Sequence, residues 1–184
     1  IPLIICVTGQ MAAGKNFISS QYEKNGWLCL DADEQVHSPI KTATPQILNA
    51  FEKEAAAENI PLKNPDGTLN RRNLGKLIFP HPELLKKQES IIYPIIIEET
   101  KKIIKENEGR NIVLNATVLY KTPELLRMCR KIIFVKASFF VRLKRAIKRD
   151  KMPLPQILSR FWTQRNLFSR YKNAGIPIEI VDNN

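Results

Sequence analysis

Residues 1–7, IPLIICV, form a continuous apolar run, the pattern of a strand covered on both faces of a parallel sheet. A Gly-bounded loop follows, and GKNFISSQYEKN reads as the helix that the loop opens, with Gly26 placed to stop it. WLCLDAD is a second strand ending in two carboxylates. Strand, loop, helix and strand make a βαβ unit, which predicts a parallel sheet with a right-handed crossover. The pattern changes over residues 38–108. PQILNAFEKEAAAENI is helical, NPDGTLN is a turn punctuated by Asp-Gly, and RRNLGKLIF is helical again. PELLKKQESIIYPIIIEETKKIIKENEG continues as helix, with Pro94 expected to bend or break it. The sheet resumes with NIVLNATVL and RKIIFVKAS, residues 139–172 are helical with an interruption at KMPLP, and IPIEIVDNN is a final strand. These elements predict an α/β fold with a five-stranded parallel core and a helical insertion.

Composition adds little to that outline, but charge does. The chain has 184 residues, 43% of them hydrophobic and 26% charged, as in an ordinary globular protein. No apolar run reaches the length of a membrane span. The apolar start lacks a basic leader and a small-residue cleavage site, so it reads as a buried strand rather than a signal peptide, and a cytoplasmic protein is expected. Cys6, Cys29 and Cys129 have no metal or disulfide spacing, and Cys6 and Cys29 read as packing residues. Net charge is +11, and residues 127–172 hold 14 Lys and Arg against one acid, Asp150. Such a segment suits a polyanion; a solvated helix surface has the same composition. No nucleic-acid-binding motif accompanies it, so a nucleotide or phosphorylated small molecule is the expected partner.

Candidate chemistry begins at residues 9–16, GQMAAGKN, which match G-x-x-x-x-G-K-[ST] except at the last position. A loop between a buried strand and a helix turns several backbone N–H groups toward one point, where the helix dipole adds positive potential. Gly9 and Gly14 permit the backbone such a nest needs, Gln10, Met11, Ala12 and Ala13 fill it, and Lys15 reaches toward β- and γ-phosphates. The alternative is a strand–helix turn with a solvated lysine. Asn16 stands where a hydroxyl normally meets Mg²⁺; its carbonyl is also a hard oxygen, so the metal position is either altered or lost. Asp31 and Asp33 lie at the carboxyl end of the second strand, the edge where ligands bind in open α/β sheets. There a carboxylate orients or accepts the proton of an attacking hydroxyl, or one of the pair caps the next helix. Arg142, Arg145 and Arg149 share one helix face, fit for a lid over transferring phosphates or for a solvated basic surface.

Together these residues resemble the dephospho-coenzyme A kinase family, nearly end to end. VTGQMAAGK is similar to the family's TGGIGSGK loop, and Leu30-Asp31-Ala32-Asp33 to its strand ending in D-A-D. DGTLNRRNL matches D-G-x-L-x-R-x-x-L, which places Arg71 on the family's substrate-side arginine. RLKRAIKRD, followed by Arg160-Phe161-Trp162-Thr163-Gln164, is similar to the lid helix and the later R-I-x-x-Q. IVDNN resembles the stretch that precedes a C-terminal segment. The chain departs at Asn16 (Ser in the family), Tyr93-Pro94 (His-Pro), Arg142 (Gln) and Thr117–Lys121, which lacks a Pro and a Glu.

The resemblance implies a P-loop NTP hydrolase-like fold. Residues 1–37 and 110–184 would form the nucleotide-binding core, with a lid over 139–170, and residues 38–109 a helical domain for the CoA substrate. It implies transfer of phosphate from ATP, with Mg²⁺, to the ribose 3′-hydroxyl of dephospho-CoA. Residues 9–17, including Phe17, and Arg145 would bind ATP. Asp33, Lys15 and Arg149 would be catalytic, Asn16 would meet the metal, and Asp31, Arg71 and Tyr93 would hold the acceptor. A monomer or weak homo-oligomer, with neither membrane nor nucleic acid as partner, is expected. The alternatives are a relative that binds nucleotide without catalysis and a P-loop kinase for another nucleotide or nucleoside.

Overall fold

The computed structural model describes residues 2–32, 37–150 and 152–184, and of residues 37–39 and 150 the backbone alone. Among these, five strands form one sheet: β1 (Ile4–Gly9), β2 (Leu28–Asp31), β3 (Ile112–Asn115), β4 (Lys131–Lys136) and β5 (Ile178–Asp182). Every pairing is parallel, in the order β2-β3-β1-β4-β5. The expected βαβ unit is present, with α1 (Lys15–Lys24) between β1 and β2. Yet β3 lies between the two strands, so β2 is not the neighbour of β1. Gly26 follows the helix with φ +85° and donates its N–H to the Glu23 carbonyl, closing the helix as expected.

Both faces are covered along β1, β3 and β4, which explains their unbroken apolar runs. Ile5, Val7, Val113, Ile133 and Val135 pack on one face, with Ile18 and Tyr22 of α1 against them. On the other face Phe134 stacks edge-on against Phe168 and Tyr171 of α9 (Leu167–Lys172). Cys6 and Cys129 are buried, while Cys29 is half-buried. Tyr171 is fully buried, and its hydroxyl donates to the Thr117 carbonyl and accepts from Leu119 N–H, each at 2.9 Å. Tyr171→Phe leaves a buried N–H without this acceptor, so a loss of about 2 kcal/mol is expected. In thermal melts that is a fall of about 5 °C; an unchanged midpoint would show that another group takes over the bond.

The chain divides into two compact units, Ile1–Asp33 with Lys101–Asn184, and Glu34–Thr100. The second holds α2 (His37–Thr42), α3 (Thr44–Ala57), α4 (Arg71–Ile78) and most of α5 (Pro82–Glu106). Ile47, Phe51 and Ala55 make the inward stripe of α3 at i, i+4, i+8. Residues 64–68 turn tightly around Gly67, and Asn70 caps α4 by accepting the Asn73 N–H at 3.0 Å. Pro94 lies inside a continuous α5, so of the two effects expected of it the break does not occur. Its missing N–H removes one bond, while Ile92 and Ile96, one turn apart, are both buried and hold the helix to its core.

The rest of the first unit comprises α6 (Pro123–Arg127), α7 (Phe139–Asp150) and α8 (Leu154–Thr163). Of the expected interruption at KMPLP, Met152 and Pro153 lie between α7 and α8, Leu154 and Pro155 begin α8, and Lys151 lies outside the described residues; a further turn separates α8 from α9. Among the described residues no helix is long and apolar enough to cross a membrane.

Candidate active site

The residues around GQMAAGKN are held from three directions. At the start, Gly9 pairs with Val135 of β4, and a Cβ there would stand 2.6 Å from the Val135 carbonyl oxygen. Only glycine lets the two strands approach at that point. Ala12 (φ +62°) and Gly14 (φ +101°) both take left-handed backbone, curling the loop so that Ala13 N–H meets the Gln10 carbonyl at 3.0 Å. Gln164, at the end of α8, accepts the Met11 N–H at 2.6 Å on its side-chain oxygen and the Gln10 amide at 3.0 Å on its backbone oxygen. On the far side the Ala13 carbonyl accepts from Asn183 Nδ2 at 2.9 Å and from Arg145 at 3.4 Å.

Helix α1 begins at Lys15 with no side-chain cap and no acid in its first turn. Its first N–H groups have no acceptors four residues back, so they and the dipole present a ready site for an anion. Lys15 Nζ donates to Asn16 Oδ1 at 3.1 Å, and Asn115 Nδ2 donates to the same oxygen at 2.9 Å and to Asp31 Oδ2 at 3.2 Å. The loop opens on a cleft of about 610 Å³ walled by Lys15, Asn16, Thr117, Arg149, Arg160 and Gln164. A second cavity of about 690 Å³ adjoins it at Ala12, Gly14 and Arg149 and extends past Phe17, Arg145 and Asn183.

The arginine face of α7 serves three purposes. Arg142 is buried, stacks on the Phe161 ring at 4.4 Å, and leaves Nε and Nη1 without hydrogen bonds. Burial pushes its pKa below the usual arginine value. Arg145 binds the loop and, at 2.8 Å, the Asn183 carbonyl. Arg149 is exposed and lines both cavities. Arg71 is the exposed first residue of α4 and Tyr93 a half-buried residue of α5, both in the second unit. Asp33 lies outside the described residues. A groove of about 740 Å³ in the second unit, between Leu48 and Lys63, contains none of the candidate residues.

Gln10 to Asn16, Asp31, Arg145 and Arg149 therefore belong to one corner of the first unit, at the carboxyl ends of β1, β2 and β3. Asn115, Thr117, Arg160, Gln164 and Asn183 join them there. Asn115 ends β3 and Asn183 directly follows β5, but in the sequence both lie inside runs read as strands, which gave no signal of a site.

A model of the dephospho-CoA kinase family matches residues 3–184. The chain belongs to the dephospho-CoA kinase family. The resemblance read from the motifs is borne out over the whole sequence. A dephospho-CoA kinase of Treponema denticola is 38% identical over 186 residues, which cover 99% of this chain and 82% of the relative. Among solved structures, a Thermus thermophilus protein aligns at a TM-score of 0.81 and 21% identity, covering 100% of this chain and 89% of the other. A dephospho-CoA kinase of Campylobacter jejuni aligns at 0.57 and 21%, covering 98% and 88%. At these identities the structural likeness concerns the fold, the parallel P-loop kinase sheet expected from the sequence.

Gly14 gives this family member a sharp test of the loop. A Cβ there would stand 2.0 Å from Asn183 Nδ2, on a backbone that L side chains rarely adopt. Gly14→Ala forces the Asn183 amide off the Ala13 carbonyl, and strain and lost bond together cost about 2 kcal/mol. ADP affinity measured by calorimetry is expected to fall about tenfold, the factor that 1.4 kcal/mol represents. Unchanged affinity would mean that the loop reshapes freely.

Proposed function

We propose that this chain transfers the γ-phosphoryl group of ATP to the ribose 3′-hydroxyl of dephospho-CoA, giving coenzyme A. The observation that carries the reading is the uncapped N-terminus of α1 with Lys15, opening on a cleft that Arg149 and Arg160 also line. Phosphoryl transfer asks mainly for positioning and for charge to meet charge, and these groups supply both. The loop N–H groups cradle the β- and γ-phosphates. Lys15 moves from Asn16 onto them, and Arg149 meets the charge that grows on the transferred group. The neighbouring cavity, with Phe17, Arg145 and Asn183, takes the remainder of the nucleotide.

Asn16 Oδ1 and the Asp31 carboxylate are hard oxygens beside Lys15, and they fit a divalent ion that keeps waters and phosphates as its other ligands. When bound, Mg²⁺ neutralises charge on the phosphate oxygens. Asp33 orients the 3′-hydroxyl and takes its proton. Residues 38–109 form the acceptor domain, where Arg71 and Tyr93 hold dephospho-CoA, and Asp31 of the core also serves the acceptor. The same reading makes the protein a cytoplasmic monomer or weak homo-oligomer, a state that sedimentation at working concentration distinguishes.

The decisive experiment supplies ATP, Mg²⁺ and dephospho-CoA, follows ADP release and detects coenzyme A directly. Coenzyme A at a steady rate is the expected result. Nucleotide binding with no product from dephospho-CoA or from other nucleosides and nucleotides would leave a binding protein, and turnover with another acceptor would replace the substrate.

A further inference from the structure

Asn115 lies behind the cleft, bonded to Asn16 of its wall and to Asp31, and phosphoryl transfer assigns it no task. It ends β3, only 4% exposed, paired in register with Asp31 of β2 on one side and Val7 of β1 on the other. Its Nδ2 group donates to two oxygens from distant parts of the chain, Asn16 Oδ1 and Asp31 Oδ2. Chemistry fixes which way the amide points, since the reverse orientation would press its carbonyl oxygen against two acceptors. In the orientation found, that oxygen is buried without a hydrogen-bond partner. A buried amide that leaves one oxygen unsatisfied is held there by what its nitrogen does.

P-loop enzymes commonly hold the nucleotide's divalent ion between a hydroxyl after the loop lysine and a carboxylate on a strand. Here the residue after Lys15 is an amide, and the strand-end residue bonded to it is another amide. Two oxygens that converge on one point repel each other unless something positive lies between them. A divalent cation is one such bridge, and the two N–H bonds of Asn115 are another.

We propose that Asn115 is a positioning residue whose amide bridges Asn16 and Asp31 in the way a divalent cation would, so that nucleotide binding depends little on that cation. An aspartate in its place would bring a third acceptor to the same point and make the cation necessary. The inference rests on the nucleotide-binding reading above.

The test uses the full chain, with ADP calorimetry in MgCl₂ or in EDTA, and thermal melts with MgCl₂ and no nucleotide. Wild-type ADP affinity is expected to differ by less than about fivefold between the two conditions, the low edge of ordinary coupling between two ligands. Asn115→Asp is expected to widen that ratio at least about threefold, and its melting midpoint rises with MgCl₂ alone while the wild type does not respond. Asn115→Ala, which removes the bridge without adding charge, loses more affinity in EDTA than in MgCl₂. A wild-type ratio of fivefold or more overturns the proposal, whatever the variants do. So does an Asn115→Asp protein whose ratio or melting ignores the cation. If ADP binds in neither condition, the nucleotide reading falls, and the cation-only melts still judge Asn115.

Discussion

Lys15→Ala is expected to lower kcat/KM for coenzyme A formation by about 10²–10³-fold, roughly 3–4 kcal/mol of transition-state stabilisation, the usual cost of removing one preorganised charge from a phosphoryl-transfer site. The half-buried lysine is the first residue of α1, where the helix dipole and the first-turn N–H groups already favour an anion. Its ammonium donates to Asn16 Oδ1, which also accepts from Asn115. Removing the ammonium therefore leaves Asn16 with its second donor, and the fold is not expected to suffer. A melting midpoint within about 2 °C of wild type, the scale of a fraction of a kcal/mol at this chain length, separates loss of chemistry from loss of structure. Lys15→Arg restores charge but not a compact ammonium, so only partial recovery is expected. Wild-type turnover in Lys15→Ala would remove the lysine from the mechanism.

Asp33→Asn is expected to reduce kcat by about 10²–10⁴-fold, the span that positioned general bases contribute. ADP affinity should stay within about threefold, because base chemistry is separable from nucleotide binding. The argument rests on direction. All five strands run parallel, so β2 ends at Asp31 on the same edge as the loop after β1 and Asn115 at the end of β3, and Asp33 follows two residues later in the sequence. An amide matches the carboxylate in size and can still bond to a hydroxyl, yet it cannot take the proton. The measurements are steady-state coenzyme A formation at saturating ATP and calorimetry with ADP. Near-normal kcat would assign the proton to another group, and a parallel collapse of ADP affinity would make Asp33 a structural residue.

Much of the core was legible because its signals are local. An apolar run, a Gly-bounded loop and a helix stop lie within the first 26 residues, and each depends on its own backbone preferences. Strand order was not legible. The insertion of β3 between β1 and β2 is a long-range pairing that no local period encodes. The uninterrupted α5 shows tertiary burial outweighing a local rule, with Ile92 and Ile96 on either side of Pro94. At the site, a lone Asn in an apolar strand reads as a satisfied core residue. Asn115 gains meaning only from partners 99 and 84 positions away. The arginine trio on α7 was visible as one face, but its spacing could not say that Arg142 packs on Phe161 while Arg149 reaches the cleft.

The phosphate loop is written in eight residues near the start of the chain, yet its clamps arrive late. Gln164 holds Met11 across 153 positions, and Asn183 holds Ala13 across 170. A ribosome delivers the chain from its N-terminus, and native contacts of this span wait for α8 and β5 to emerge. Until then the nascent protein carries the entire GQMAAGKN string without the braces that shape it. On the proposed reading, a nucleotide has no finished cradle to stabilise until α8 and β5 are in place, so its binding would reward the docking of those two segments rather than template the folding of the first half.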